Sequence, residues 1–218
     1  MAKFYPYHPL PHSHMKDAIG GIAHYIPKNA MSLLSHYLSQ WEVNLVISKS
    51  RVTKHGDFRA LANGGHQITV NEMDNPYRFL ITTLHEIAHL LTFKNFGPGI
   101  KPHGKEWKET YQKIIAPFLN SYIFPEELLE VLQAHFRNPK ASSDSDFDLV
   151  MALNQYDPKS EKNYIFELDF GSIFEIYNGR RFIKGKKRVK RFECTEMDSR
   201  RKYLFSPHAQ VIKVENNV

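Results

Sequence analysis

A chain of 218 residues, 42% of them hydrophobic, is long enough for one substantial domain, or one domain with a small appendage, each burying a core. Its one cysteine, Cys194, excludes an intramolecular disulfide and any metal site built from several cysteines, and is read as a structural thiol. The formal charge of +6 permits attraction to polyanions without establishing it. With no apolar run of about 18 residues and no apolar N-terminal stretch, neither a membrane helix nor a secretory leader is expected, so a cytoplasmic, monomeric protein away from membranes is the expectation.

Residues 1–16 scatter His8, His12 and His14 among prolines and read as an arm without periodicity. From Lys28 to Glu42, Ala30, Leu33, Leu34, Tyr37, Leu38 and Trp41 recur at helical spacing and predict an amphipathic helix. Val43–Ser48 alternates as a strand. Val52–Arg59 reads as a bend at His55-Gly56-Asp57 with a second strand, and Gln67–Asn71 follows the Asn63-Gly64-Gly65 turn as a third. Asp74-Asn75-Pro76 then supplies a capping side chain and a proline at a helix start, and Gly97-Pro98-Gly99 supplies a stop. Between them Phe79, Leu80, Thr83, Leu84, Ile87, Leu90 and Leu91 form a buried stripe.

Inside that helix lies His85-Glu86-Ile87-Ala88-His89, an H-E-x-x-H motif. Positions four apart share a helix face, so His85 and His89 offer two imidazole nitrogens to one metal ion. Glu86, beside the first ligand, is placed to reach a metal-held water as general base. A catalytic zinc takes three protein ligands and keeps a position open. The third candidate is His103, in Lys101-Pro102-His103-Gly104-Lys105-Glu106-Trp107, where glycine allows a close turn. Glu106 and Glu109 are the rivals, better placed on the exposed face of the next helix. His55 and His66 stand near the predicted strands as candidates for substrate contact, and Tyr111, Tyr122 and His66 are candidates for stabilising an oxyanion.

HEIAHLL, a short Gly/Pro loop and HGKEWK resemble the SprT-like metalloprotease domain found in Spartan-type DNA–protein crosslink proteases. The resemblance covers about residues 25–137 and is most specific at the motif. It implies that His85, His89 and His103 hold one Zn2+ and that Glu86 is the catalytic base. It also implies a sheet edge that binds extended substrate, expected at Gln67–Asn71.

Lys105–Phe118 predicts a helix carrying Trp107, Tyr111, Ile114, Ile115 and Phe118 on one face, weakened at its end by Pro117. Pro125-Glu126-Glu127 opens another, with acids at its positive end. Ala141–Ser145 reads as linker, with one short helix over 146–154. Beyond Asn163 the pattern changes to short strands at Tyr164–Phe170, Ser172–Tyr177, Arg181–Ile183, Val189–Cys194, Lys202–Ser206 and Ala209–Val214, with an Asn178-Gly179 hairpin signal. The zinc-ribbon cysteines that many SprT-like proteins carry after the protease domain are absent. Arg180, Arg181, Lys184, Lys186, Lys187, Arg188, Lys190 and Arg191, with Phe182 and Phe192 interleaved, are candidates for contact with single-stranded or damaged DNA. A charged, solvated β-edge that resists aggregation accounts for the same residues.

The expected fold class is α+β. It comprises a minimal zincin-like metalloprotease domain of helices and a small, mostly antiparallel sheet over 1–140, a linker over 141–162, and a small basic all-β module over 163–218. The leading function is a zinc-dependent endopeptidase acting on proteins, including DNA-bound or DNA-crosslinked ones. The alternatives are a zinc peptidase indifferent to DNA and a nucleic-acid-binding protein with a structural zinc.

Overall fold

The computed structural model describes residues 21–41, 43–49, 51, 54–159 and 162–214. The arm with His8, His12 and His14, and the predicted strand start at Val52, lie outside the described residues. The chain divides into two compact units, Met1–Pro158 and Lys159–Val218. The first combines helices with a small mixed sheet and the second is an antiparallel sheet, an α+β protein with a C-terminal β module.

In the first unit a 3-10 turn, Lys28–Ala30, leads into helix α1, Met31–Gln40, which buries Leu34 and Leu38 one turn apart. Strands β1 (Val43–Ser48), β2 (Gly56–Ala60) and β3 (His66–Asn71) form one sheet in the order β1-β3-β2. β1 runs parallel to β3 and β2 antiparallel to it, so one of the two pairings is parallel. β3, expected as the substrate-binding edge, is therefore the central strand. Ile68, Thr69, Val70 and Asn71 are buried in succession, which means both of its faces are covered. The edge beside the motif helix belongs to β2.

Asn71 fixes where β2 begins. It is 2% exposed, accepts from Arg51 Nε at 2.7 Å and donates Nδ2 to the Lys54 carbonyl at 2.7 Å. These bonds hold Arg51 and Lys54, the latter two residues before Gly56, against the end of β3.

Helix α2, Pro76–Phe96, carries the motif. The Asn75 side chain accepts from the backbone N–H groups of Tyr77 and Arg78, and Gly97 ends the helix at φ 83°. Asn75 also donates to the Leu153 carbonyl at 2.7 Å and to Asp157 at 2.6 Å. One buried side chain thus starts α2 and ties it to a helix far along the chain. Asn75→Ala removes the cap together with the bonds to the Leu153 carbonyl and to Asp157. A loss of about 2–3 kcal/mol is expected, read as a lower midpoint at unchanged slope in urea denaturation.

Helix α3, Lys105–Ile115, packs on α2 through Trp107, Tyr111, Ile114 and Ile115. Pro117 tightens the chain after it into the 3-10 turn Ala116–Phe118. Helix α4, Glu126–Phe136, buries Leu128, Leu132, His135 and Phe136. Residues 141–158 hold a 3-10 turn, Ser143–Ser145, and helix α5, Phe147–Asn154. Leu149 and Leu153 of α5 enter the same core as Phe79, Leu84 and Trp107.

In the second unit β4 (Asn163–Tyr164), β5 (Ile173–Glu175), β6 (Arg181–Arg188), β7 (Arg191–Glu196), β8 (Lys202–Phe205) and β9 (Gln210–Val214) order as β4-β9-β5-β6-β7-β8. The strand expected over Tyr164–Phe170 is instead two strand residues and a 3-10 turn, Ile165–Glu167. Ile165 and Leu168, three apart, both point into the core, a spacing a strand cannot satisfy. Their partners are Phe174, Phe182, Cys194 and Val211. Cys194 is a buried free thiol whose surroundings push its pKa up, which suits the structural reading. Among the described residues, no helix is long and apolar enough to cross a membrane.

Candidate metal centre

Three imidazoles converge. His85 and His89 stand one turn apart on α2, and His103 lies in the loop before α3 with φ 59°. Histidine tolerates this left-handed conformation better than most side chains. Gly104 completes the turn, since its N–H bonds the Lys101 carbonyl and a Cβ there would meet that oxygen at 2.9 Å. The Nε2 atoms lie 3.2 Å (His85–His89), 3.0 Å (His89–His103) and 3.2 Å (His85–His103) apart.

Such a cluster suits a metal and little else. Each nitrogen holds one lone pair or one hydrogen, so three of them cannot satisfy one another pairwise. Four ligands at 2.0–2.1 Å around tetrahedral Zn2+ stand about 3.3 Å apart, close to the spacing here. Burial pushes the His85 pKa down to about 2 and that of His89 to about 4, the neighbouring imidazoles adding to both, and burial also lowers His103. The three rings are therefore neutral, the form that binds a metal. The rivals Glu106 and Glu109 stand outside this group, the only set of three or more His, Cys, Asp or Glu residues among the described residues close enough to hold an ion.

Trp107 backs the cluster. It is fully buried, with its ring centroid 4.7, 5.3 and 4.6 Å from those of His85, His89 and His103. A rigid aromatic wall behind the three imidazoles limits their rotamers and excludes water from that side.

Glu86 is 6% exposed and faces the same cleft, of about 580 Å3. Burial, with Asp57 adding repulsion, pushes its pKa up from 4.5 to about 8, against Lys54, Arg51 and the backbone N–H of Phe58. Gly56 lies directly against it. A Cβ at residue 56 would sit 2.8 Å from both Cγ and Oε1 of Glu86. Asp57 is held by Arg51 (2.5 Å), Arg59 (2.8 Å) and Lys54 (3.3 Å). Burial raises its carboxyl, but these bonds outweigh that and keep it below the ordinary value.

The other wall was not foreseen. Ala141, Ser142, Ser143 and Asp144, which read from sequence as linker, line the cleft together with Lys140, His55 and His135. His55 Nε2 lies 2.7 Å from Asp144, and His135 Nδ1 lies 2.7 Å from Asp146. Burial raises the Asp146 carboxyl, and hydrogen bonds from His135 and Lys140 more than offset it, so Asp146 stays ionised. The sequence did carry a signal for His135, which follows Leu128 and Leu132 on the buried side of α4. Of the oxyanion candidates, Tyr111 lines the cleft but gives its hydroxyl to the Ile81 carbonyl at 2.9 Å. Tyr122 is 72% exposed, and neither it nor His66, which stacks by Phe58 and Phe93, lines the cleft.

The basic hairpin of the second unit is only partly available. Lys184 is 5% exposed, its ammonium bonded to the Leu168 carbonyl and lying 4.4 Å from the Phe192 ring centre. It belongs to the core, as does Phe182, so neither can meet a phosphate or a base. Arg180 pairs with Glu196 at 2.5 Å over the Phe182 and Tyr203 rings, and Arg181 pairs with Glu175 at 3.0 Å. Lys186, Lys187, Arg188, Lys190 and Arg191 are exposed around the β6–β7 turn, with Arg188 3.6 Å from Glu193.

Residues 30–124 match the SprT-like family. Among curated proteins, the chain is similar to Protein SprT of Vibrio parahaemolyticus, 35% identical over 60 residues, 26% of this chain and 36% of that protein. It is also similar to Protein SprT of Pseudomonas syringae pv. tomato, 33% identical over 76 residues, 34% and 46% of the two chains. A shorter match to Protein SprT of Pseudomonas aeruginosa is 50% identical over 36 residues, 16% and 22% of the two. The chain thus spans less than half the length of the relatives it matches. No solved structure matches the chain.

Proposed function

Because residues 30–124 of this chain belong to the SprT-like family, we propose that the protein is a zinc-dependent endopeptidase. The observation that carries the reading is the meeting of three Nε2 atoms within 3.2 Å of one another beside a buried glutamate in an open cleft. His85, His89 and His103 hold one Zn2+, which when bound acts as a Lewis acid toward a water and a peptide carbonyl. Glu86 takes the proton of the attacking water and delivers it to the departing amine as the C–N bond breaks. Its buried position and raised affinity for a proton suit a group that must hold that proton between the two steps. An extended substrate is positioned along the β2 edge by main-chain hydrogen bonds, since β2 borders the cleft at Gly56, Asp57 and Phe58.

DNA-bound or DNA-crosslinked proteins are the proposed substrates. The supporting observation is the cluster of exposed cations at Lys186, Lys187, Arg188, Lys190 and Arg191. The test is cleavage of a DNA-binding protein by the zinc-loaded chain, with and without single-stranded DNA. Cleavage that a chelator abolishes and added zinc restores supports the peptidase. DNA-stimulated cleavage, lost on reversing the charges of Lys186, Lys187 and Arg188, supports the substrate class. Cleavage indifferent to DNA leaves a general zinc peptidase. Stoichiometric zinc with no cleavage on any substrate favours a structural metal.

A further inference from the structure

The proposed chemistry places negative charge on the carbonyl oxygen of the substrate, and stabilising that charge accounts for a large share of such catalysis. The cleft offers few side chains for it. Tyr111 gives its hydroxyl to Ile81, and Lys54 is engaged by Asp57. Lys140 is held by Asp146 at 3.2 Å. His55 is 43% exposed and has Nε2 committed to Asp144.

His135 differs from all of these. Its side chain is 3% exposed yet lines the cleft from the last turn of α4, with its ring edge-on to Phe136 at 5.0 Å. Nδ1 is fixed by Asp146 at 2.7 Å, and among the described residues Nε2 has no hydrogen-bond partner. A buried ring locked through one nitrogen and open at the other is a preorganised donor, and an imidazolium donates from both nitrogens. The bond to the Asp146 carboxylate sets the orientation of the ring.

We propose that His135 is a further catalytic residue of this cleft. Its Nε2–H donates a hydrogen bond to the oxygen that becomes negative when the peptide carbonyl is attacked, and Asp146 is its positioning residue. No proton changes hands at His135. The hydrogen bond strengthens as the carbonyl carbon becomes tetrahedral and relaxes as the C–N bond breaks. The proposal rests on the peptidase reading.

The test uses the full zinc-loaded chain and the variants His135→Phe, His135→Gln and Asp146→Asn, each checked for zinc content and melting temperature. The first variant keeps a ring without a donor, and the second keeps a donor without a ring. For His135→Phe, kcat is expected to fall about 10²–10³-fold with little change in KM and one zinc per chain. His135→Gln recovers part of that loss, and Asp146→Asn loses less than His135→Phe. A peptidyl phosphonate, a tetrahedral anion, is expected to lose affinity for His135→Phe in step with kcat, while an uncharged substrate peptide does not. Unchanged kcat and phosphonate affinity in folded, zinc-loaded His135→Phe would overturn the proposal. If the wild-type chain cleaves nothing, the peptidase reading fails separately. A phosphonate affinity that still depends on His135 then keeps the residue as an oxyanion-binding group, and one that does not removes it.

Discussion

Glu86→Gln is expected to lower peptide cleavage about 10³-fold while the protein still binds one Zn2+ per chain. Glutamine fills the same volume but cannot take a proton from water. The three imidazoles proposed to hold the metal make no use of the carboxylate, so zinc content, measured by atomic absorption, is expected to stay at wild type. Activity within a few-fold of wild type would remove Glu86 from the mechanism. The same substitution has a second, metal-independent signature. In the metal-free protein the Glu86 carboxyl is raised from 4.5 to about 8, so folding disfavours its ionised form. The unfolded chain sheds this proton first, and the stability contributed by Glu86 is complete below pH 4.5 and is lost as pH rises toward 8. Glu86→Gln therefore stabilises the metal-free protein at pH 8 by on the order of a few kcal/mol and leaves it unchanged at pH 4. Parallel urea titrations of the two proteins at the two pH values measure the difference directly.

Gly56→Ala is expected to damage activity far more than stability. The new Cβ would lie 2.8 Å from Cγ and Oε1 of Glu86, and the backbone at residue 56 lies outside the left-handed region, so alanine itself is tolerated. The side chain of Glu86 must move, and a shift of about 1 Å in a catalytic group costs roughly 10²-fold in rate. Denaturation midpoints within about 1 kcal/mol of wild type, together with normal zinc content, would localise the defect to the base. Wild-type kcat would mean that Glu86 can act from a displaced position, and β2 would then lose its role in placing it.

Gly56 also marks the boundary of what the one-dimensional pattern conveys. A glycine beside a bend reads as turn chemistry. Only when β2 pairs with β3 and α2 packs beneath both does it become the surface against which Glu86 rests. Lys184 makes the same point in the other unit. On a basic hairpin it reads as a cation for phosphates, but the packing of the sheet turns it inward to the Leu168 carbonyl and the Phe192 ring. Residues 141–145 read as linker because they are small and polar, yet Asp144 of this stretch lines the cleft against His55, and Asp146 just after it fixes His135.

What the sequence determined by itself is what local spacing determines. His85, Glu86 and His89 are set by the helical repeat, and the Asn75 cap and the Gly97 stop by backbone chemistry within a few residues. His103 was legible because a short glycine-broken loop can reach back only a short way. The tertiary structure alone decided which strand is the edge, which cation is buried, which glycine touches Glu86 and which fourth histidine faces the cleft. Each of these depends on pairing or packing between segments far apart in the chain, and no periodicity records where such segments meet.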